Sequence, residues 1–259
     1  MRRIAATLVI MTLLTGVAMA KLHTETIEYK DGNVALEGFL AYDDTITGLR
    51  PGVLVVHEWK GLGNYEKSRA EQLANLGYVA FALDMYGKGI RPTTNEEAAA
   101  QAGIFYKDIP LMRSRANAGL EVLKRQPHVD TSRIAAIGYC FGGKTVLELA
   151  RSGAAINGVV SFHGGLATPN PADARNIKCK ILVCHGASDP NVPPDQVKAF
   201  EDEMTNANVD WQLIAYGGAV HGFTNPANGT DPSKGVAYNE RADRRSWQAM
   251  RDFFAEIFK

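Results

Sequence analysis

Short apolar runs alternate with longer amphipathic segments along most of the chain, and the two patterns predict different elements. Runs that are apolar at nearly every position predict strands covered on both faces, at residues 53–57, 78–83, 133–138, 158–163 and 181–184. Two further β-rich runs predict strands at residues 34–41, in a leading hairpin or meander, and at residues 211–216. Helical segments fall between and after these strands, at residues 64–76, 110–125, 198–205 and 240–258. Another helix follows the turn after residue 138 and runs to residue 150. This alternation predicts an α/β fold with a mostly parallel central sheet and helices on both faces.

The first 20 residues show a different pattern. Arg2 and Arg3 precede an apolar stretch at residues 4–17, and Ala18-Met19-Ala20 has the small-x-small form of a cleavage site. We expect residues 1–20 to be a secretory signal peptide cleaved after Ala20, with no stable membrane anchor afterwards. The alternative is an uncleaved anchor or an apolar N-terminal helix. The signal predicts a periplasmic or secreted protein. The length of the remaining chain predicts that residues 21–259 form a single domain.

Composition narrows the possible partners. The 259 residues carry 28 Lys and Arg against 28 Asp and Glu, so the formal net charge is zero. Without a basic excess to neutralise phosphates, we expect no nucleic-acid partner. Three cysteines are too few for a disulfide scaffold, and we predict no disulfide. Cys179 and Cys184 flank one predicted strand and should point to opposite faces of the sheet.

Cys140 is the candidate nucleophile. It lies in the sequence Gly138-Tyr139-Cys140-Phe141-Gly142, between a predicted strand and a predicted helix. This G-x-C-x-G spacing is a nucleophile elbow with Cys in place of Ser, in which a tight turn requires very small neighbours two residues away. The helix N-terminus favours a thiolate, and the backbone N–H of Phe141 points to where an oxyanion would form. The alternative is a buried structural cysteine beside a glycine-rich turn.

A base and an orienting acid should follow the nucleophile in the chain. His221 lies in a loop after the strand at residues 211–216, late enough to be the general base. Asp189, just past the strand at residues 181–184, would orient the imidazole and stabilise its positive charge. Alternatively, Asp189 is a turn residue before Pro190, and Asp195 competes for its role, although it fits better near the start of the next helix.

These motifs together resemble the dienelactone hydrolase family of α/β-hydrolases. The matching segments are residues 56–61 (VHEWKG), 83–87 (LDMYG), 138–143 (GYCFGG), 186–190 (GASDP) and 221–223 (HGF). The resemblance implies an α/β-hydrolase fold and a carboxylic ester hydrolase of the carboxymethylenebutenolidase type. It also implies Cys140 as nucleophile, His221 as base and Asp189 as orienting acid.

The resemblance assigns three further positions and exposes one departure. It implies that Glu58 pairs with the resting thiol and takes its proton when substrate arrives, and that the N–H of Trp59 is the second oxyanion donor beside that of Phe141. Family members hold a substrate carboxylate with arginines, one of them four residues after the catalytic histidine. That position is Asn225 here, a candidate substrate-binding residue, so this chain lacks one arginine of the carboxylate-binding pair. A solvated carboxylate is the alternative for Glu58.

The sequence therefore predicts a monomeric hydrolase that cleaves a small ester, lactone or thioester through a Cys-His-Asp triad and a covalent thioester. Its histidines and cysteines lack the spacing of a zinc site, and we expect neither metal nor organic cofactor. Three alternatives stay open: a peptidase or acyltransferase on the same fold, a non-catalytic ligand-binding protein, and a redox sensor using Cys140.

Overall fold

A computed structural model describes residues 21–259, so the predicted signal peptide lies outside the described residues. The strands are β1 (Leu22–Asp31), β2 (Val34–Asp43), β3 (Arg50–Val56), β4 (Val79–Leu83), β5 (Val129–Tyr139), β6 (Gly158–Phe162), β7 (Lys180–Gly186) and β8 (Trp211–Tyr216). The α-helices are α1 (Asn64–Asn75), α2 (Asn95–Lys107), α3 (Ile109–Lys124), α4 (Phe141–Arg151), α5 (Pro194–Asn206) and α6 (Glu240–Ile257).

The described strands form one sheet in the order β1-β2-β4-β3-β5-β6-β7-β8. β2 pairs antiparallel with β1 and β4, and every other pair is parallel. The predicted α/β architecture is confirmed. The strands β4 and β6 are buried at every position, as their continuous apolar runs predict.

Helices cover both faces of the sheet because each has one apolar face to bury. On one face, α1 and α6 contribute Leu73, Met250 and Phe254 to the core. On the other face, α3 and α4 contribute Leu120 and Val146. The parallel strands β3, β5, β6, β7 and β8 end at one edge of the sheet, and the loops that follow them carry the predicted chemistry. Within residues 21–259, no helix has the length and apolar character needed to cross a membrane.

The start of α1 has a consequence for the site. Its N-cap is Gly63, and the side chain of Glu66 accepts the Gly63 N–H at 3.0 Å. The second oxygen of Glu66 accepts the backbone N–H of Glu58 at 2.9 Å. One buried carboxylate therefore caps the helix and fixes the loop that follows β3.

Candidate active site

The backbone at Cys140 has the strained turn that the elbow motif predicts. Cys140 has φ 53° and ψ −111°, a positive φ that is uncommon for any residue other than glycine. It follows β5 directly and is the N-cap of α4. Its sulfur therefore lies at the positive end of a helix dipole, where a thiolate is favoured. The strain is consistent with a residue held in place for function.

Two glycines make this turn possible by removing side chains where backbones meet. A Cβ on Gly138 would lie 2.0 Å from the carbonyl oxygen of Gly142, and a Cβ on Gly142 would lie 2.2 Å from that of Val56. Both contacts are with backbone atoms, which cannot rotate away. The helix α4 can approach β3 and β5 this closely only with glycine at both positions.

The structure brings Cys140, His221 and Asp189 into one row. His221 Nε2 lies 3.0 Å from Cys140 Sγ, and His221 Nδ1 lies 2.8 Å from Asp189 Oδ2. The second Asp189 oxygen accepts the N–H of Asn191 at 2.8 Å, which fixes the carboxylate. Asp195, the alternative acid, lies in the first turn of α5, as the sequence favoured. The order nucleophile, acid, base along the chain thus becomes one hydrogen-bonded row in space.

The row favours a protonated imidazole. Burial by itself would lower the pKa of His221, but the neighbouring Cys140 sulfur and the Asp189 carboxylate raise the pKa to about 10. A pKa this high means that the His221 imidazole is protonated at neutral pH. The imidazolium therefore carries a proton that it can give away.

Glu58 lies at the cavity wall with an uncharged partner. Asn225 Nδ2 donates to Glu58 Oε2 at 2.7 Å. Burial, and next the negative charge of Glu66, raise the pKa of Glu58 to about 7. Because an amide does not hold a carboxylate in its charged form as a guanidinium would, Glu58 can carry or release a proton near neutral pH.

Asn225 lies behind Glu58 and is not part of the cavity wall. Its side-chain oxygen accepts the N–H of Ala227 at 3.0 Å, while its amide nitrogen is bound to Glu58. Both ends of the amide are thus engaged within the protein. Direct substrate binding by Asn225 stays a prediction. In the structure, Asn225 holds the Glu58 carboxylate in place through its hydrogen bond.

A cavity of about 590 Å³ opens over Cys140. Its lining includes Glu58, Trp59, Tyr106, Cys140, His221 and Val236. The wall therefore combines the reactive groups with aromatic and aliphatic surface, as small-molecule sites do. Tyr106 comes from α2, a helix that the apolar pattern did not predict.

Of the two predicted oxyanion donors, Trp59 lines this cavity and Phe141 directly follows Cys140 in the chain. Phe141 is the first residue of α4, and its N–H belongs to the unpaired first turn of that helix. Trp59 lies in the loop after β3, where its carbonyl accepts the hydroxyl of Tyr86 at 2.8 Å. The loop backbone is therefore fixed beside the sulfur, and donation by both N–H groups to an oxyanion stays a prediction.

Two other strand-end residues are structural. His57 accepts the N–H of Met85 on Nε2 at 3.2 Å and donates from Nδ1 to the Glu58 carbonyl at 2.5 Å. Burial lowers the pKa of His57 to about 4, so it is neutral. Asp84 accepts the N–H groups of Tyr86 and Gly87 and stabilises the loop after β4.

A second buried histidine at the site was not predicted. His163 follows β6, and the backbone N–H of Cys140 donates to its Nδ1 at 3.2 Å. The sequence placed His163 at a strand end but assigned it no role. The adjacency of β5 and β6, which the sequence order does not dictate, is what brings it to the nucleophile.

The remaining thiols are inert. Cys179 and Cys184 pack on opposite faces of the sheet, as their spacing predicts, and all three cysteines are free. Burial raises the pKa of both side chains to about 12. Cys140 therefore remains the candidate nucleophile among the described cysteines. Residues 21–259 contain no group of three or more His, Cys, Asp or Glu side chains placed to hold a metal ion.

Comparison with known proteins identifies the family. The model of the dienelactone hydrolase family matches residues 36–258. The chain belongs to the dienelactone hydrolase family. The structure named m3DLH is 42% identical, covers 92% of this chain and 99% of its own, and superposes with a TM-score of 0.89. This dienelactone hydrolase family member therefore has the α/β-hydrolase fold and is a hydrolase that acts on lactones or esters.

Two further relatives extend the likeness. The dienelactone hydrolase-like promiscuous phosphotriesterase P91, from metagenomic libraries, is 42% identical, with a TM-score of 0.88 over 92% of this chain and 99% of its own. The uncharacterized protein K02A2.1 of Caenorhabditis elegans is 36% identical over 152 residues, which are 57% of this chain and 94% of the relative.

Proposed function

We propose that this protein hydrolyses small esters, lactones or thioesters through a covalent thioester on Cys140. The observation that carries the proposal is the row of atoms from Cys140 Sγ through the His221 ring to Asp189 Oδ2, with separations of 3.0 Å and 2.8 Å. The cavity over the sulfur supports it, because a small acyl compound can reach the thiolate there.

The reaction begins when the Cys140 thiolate attacks the substrate carbonyl. A carbon–sulfur bond forms, and the carbonyl π electrons move to oxygen, where the N–H groups of Phe141 and Trp59 stabilise the charge. As the carbonyl reforms, the carbon–oxygen bond to the alcohol breaks, and His221 Nε2 gives its proton to the departing oxygen. In a lactone, the alcohol stays joined to the acyl chain.

Water completes the cycle. Neutral His221 takes a proton from water, whose oxygen attacks the thioester carbonyl, and the carbon–sulfur bond breaks to return the thiolate. Asp189 stabilises the imidazolium formed in this step. We also assign Glu58 a proton exchange with Cys140 in the resting enzyme; the support is that both line the same cavity and that the pKa of Glu58 is raised to about 7.

A panel of p-nitrophenyl esters and lactones tests the proposal on the chain without residues 1–20. We expect Cys140→Ala and His221→Ala each to lose about 10³-fold or more in kcat, and the double variant to lose no more than either single one. Retained turnover in Cys140→Ala would remove the mechanism. Cleavage of peptides, ligand binding without turnover, or sulfenate formation faster than esterolysis would favour the three alternatives in turn.

A phosphotriester is a second candidate substrate. P91, a promiscuous phosphotriesterase, is 42% identical to this chain over nearly its whole length. A thiolate can displace an aryloxide from phosphorus as well as from carbon. A p-nitrophenyl phosphotriester in the same panel reports the same leaving group, and we expect its turnover to disappear with Cys140→Ala as well.

We also propose export to the periplasm or beyond the cell. The support is Arg2-Arg3, the apolar stretch at residues 4–17 and the small residues at Ala18 and Ala20. Expression of the full chain followed by N-terminal sequencing of the exported protein tests this. We expect the mature protein to begin at Lys21, and a cytoplasmic product that retains Met1 would refute it.

A further inference from the structure

His163 contacts the backbone of the candidate nucleophile. β6 is paired with β5, so the residue after β6 lies next to the residue after β5, which is Cys140. The Cys140 N–H is shared between the carbonyl of Phe162 at 3.0 Å and His163 Nδ1 at 3.2 Å. The backbone of the reactive residue is thus bound by an imidazole that the proposed reaction does not use.

Hydrogen bonds fix which nitrogen of His163 carries the proton. Nδ1 faces an N–H donor, so it must be the unprotonated nitrogen, and Nε2–H donates to Thr224 Oγ1 at 2.7 Å. The Tyr65 hydroxyl also donates to Thr224 Oγ1, at 2.6 Å. Tyr65 in turn accepts from Arg69 Nε at 3.2 Å. Thr224 Oγ1 therefore accepts two hydrogen bonds, one from His163 and one from Tyr65.

The far end of the row is positively charged and anchored to two helices. Arg69 of α1 donates to the Thr224 carbonyl at 2.9 Å and to Asp243 of α6 at 2.5 Å. Burial, and next the nearby His221, lower the pKa of His163 well below its usual range. A neutral His163 does not compete with His221 for the thiol proton.

His163 also contacts the base directly. The two imidazole rings meet edge to face with centroids 5.4 Å apart, and Thr224 lies three residues after His221 on the same loop. His163 has φ 41°, an uncommon conformation for a residue with a Cβ. Such a conformation persists where surrounding contacts determine it.

We propose that His163 is a positioning residue that holds the Cys140 backbone and the His221 ring at the separation needed for proton transfer. The proposal rests on the proposed function, because it assigns His163 a role in aligning that Cys-His pair. One imidazole binds the nucleophile turn on one nitrogen and the loop of the base on the other, so both reacting groups share a single rigid support.

Four variants separate positioning from folding. His163→Phe keeps a ring of similar size but has no hydrogen-bonding nitrogen, whereas His163→Asn supplies an oxygen at the place of Nδ1 and tolerates positive φ. Thr224→Val removes the hydroxyl that accepts from both His163 Nε2–H and the Tyr65 hydroxyl. Val160→Ala is the matched control, because Val160 is fully buried on β6, three residues before His163, and its aliphatic side chain takes no part in the hydrogen-bonded row.

The readouts are kcat and KM on a p-nitrophenyl ester, the melting temperature, and the pH profile of Cys140 alkylation by iodoacetamide. We expect His163→Phe to lower kcat at least 20-fold with KM within two-fold, and to move the alkylation profile to higher pH. His163→Asn should recover at least a third of the decrease in log kcat seen in His163→Phe. Thr224→Val should lower kcat less than His163→Phe does, and the two effects should not add in the double variant. Val160→Ala should lower the melting temperature without moving the alkylation profile.

Three results would overturn the proposal. The first is a kcat of His163→Phe within three-fold of the parent together with a superimposable alkylation profile. The second is a loss of kcat in His163→Phe no greater than that in Val160→Ala at equal melting temperature. The third is a His163→Asn variant whose kcat is no higher than that of His163→Phe. Failure of the proposed function itself would show as ester turnover in Cys140→Ala. The alkylation profile measures the thiol without turnover, so the two failures are distinguishable.

Discussion

The hydrogen bond between Asp189 and His221 should be decisive for the rate. In Asp189→Asn, the side-chain oxygen can keep the Asn191 N–H, which leaves an amide N–H group facing His221 Nδ1. Nδ1 must then accept, and the ring proton moves to Nε2, towards the sulfur. The substitution removes a negative charge and selects the wrong tautomer with almost no change in shape.

The pKa of His221 gives the size of the charge effect. Its rise from 6.5 to about 10 corresponds to about 5 kcal/mol in favour of the imidazolium, after the opposing effect of burial. Cys140 and Asp189 both produce the rise by charge and hydrogen bonding, so Asp189 supplies part of it. Losing that part lowers kcat by at least about ten-fold, and the tautomer change can extend the loss towards about 10⁴-fold.

The assay is kcat on a p-nitrophenyl ester at pH 7, with Asp195→Asn as the matched control. Asp195 lies in the first turn of α5, six residues further along, and makes no hydrogen bond to His221. We expect the control to keep kcat within two-fold. A loss below five-fold in Asp189→Asn, or an equal loss in Asp195→Asn, would refute the assignment of the acid.

Three further predictions concern stability and the thiols. The raised pKa of Glu58 means that the folded protein binds the Glu58 proton more tightly than the unfolded chain does, so the free energy of unfolding falls as pH rises from about 4.5 to 7. In urea unfolding, we therefore expect Glu58→Gln to be about 1–2 kcal/mol more stable than the parent at pH 8 and equally stable at pH 4. The value at pH 8 is half of what the pKa shift alone gives, because the cavity is open to water. Gly142→Ala should lose about 3 kcal/mol or fail to fold, because its Cβ would meet the Val56 carbonyl, whereas Gly103→Ala in open space on α2 should gain up to about 1 kcal/mol in the same measurement. Brief iodoacetamide treatment at pH 8 should add one group per chain by mass spectrometry, at Cys140, and two or three adducts would contradict the inert state of the buried thiols.

The parts of the site that depend on local geometry could be predicted from the sequence. The elbow around Cys140 needs small residues at fixed spacing, and the structure has glycine where a Cβ would meet backbone. His221 and Asp189 follow from chain order and from the ends of predicted strands. These residues could be predicted from short-range spacing and from the tendency of functional residues to lie beyond the carboxyl ends of parallel strands.

Features that depend on long-range packing could not be predicted in this way. The role of His163 comes from the pairing of β5 with β6 and from a backbone conformation that no neighbouring residue signals. α2 was missed because few of its side chains are buried, although Thr94 and Glu97 form a capping box that is readable in the sequence. β1 is an edge strand whose mostly exposed side chains leave no clear apolar run.

The uncharged partner of Glu58 follows from a single position. Where the resemblance leads one to expect arginine, Asn225 gives Glu58 an uncharged hydrogen-bond partner, and the pKa of Glu58 is raised to about 7. Its consequence for the carboxylate could be read only once the 2.7 Å contact was known, because the two residues are 167 positions apart.

The central claim is a covalent bond between the acyl group and Cys140, and rapid-quench mass spectrometry of the enzyme with a p-nitrophenyl ester tests it most directly. We predict a mass increase equal to the acyl group within the first turnover, located on the peptide that carries Cys140 and sensitive to hydroxylamine, as a thioester is. An acyl group on any other residue, or a burst of p-nitrophenol from Cys140→Ala, would contradict the account.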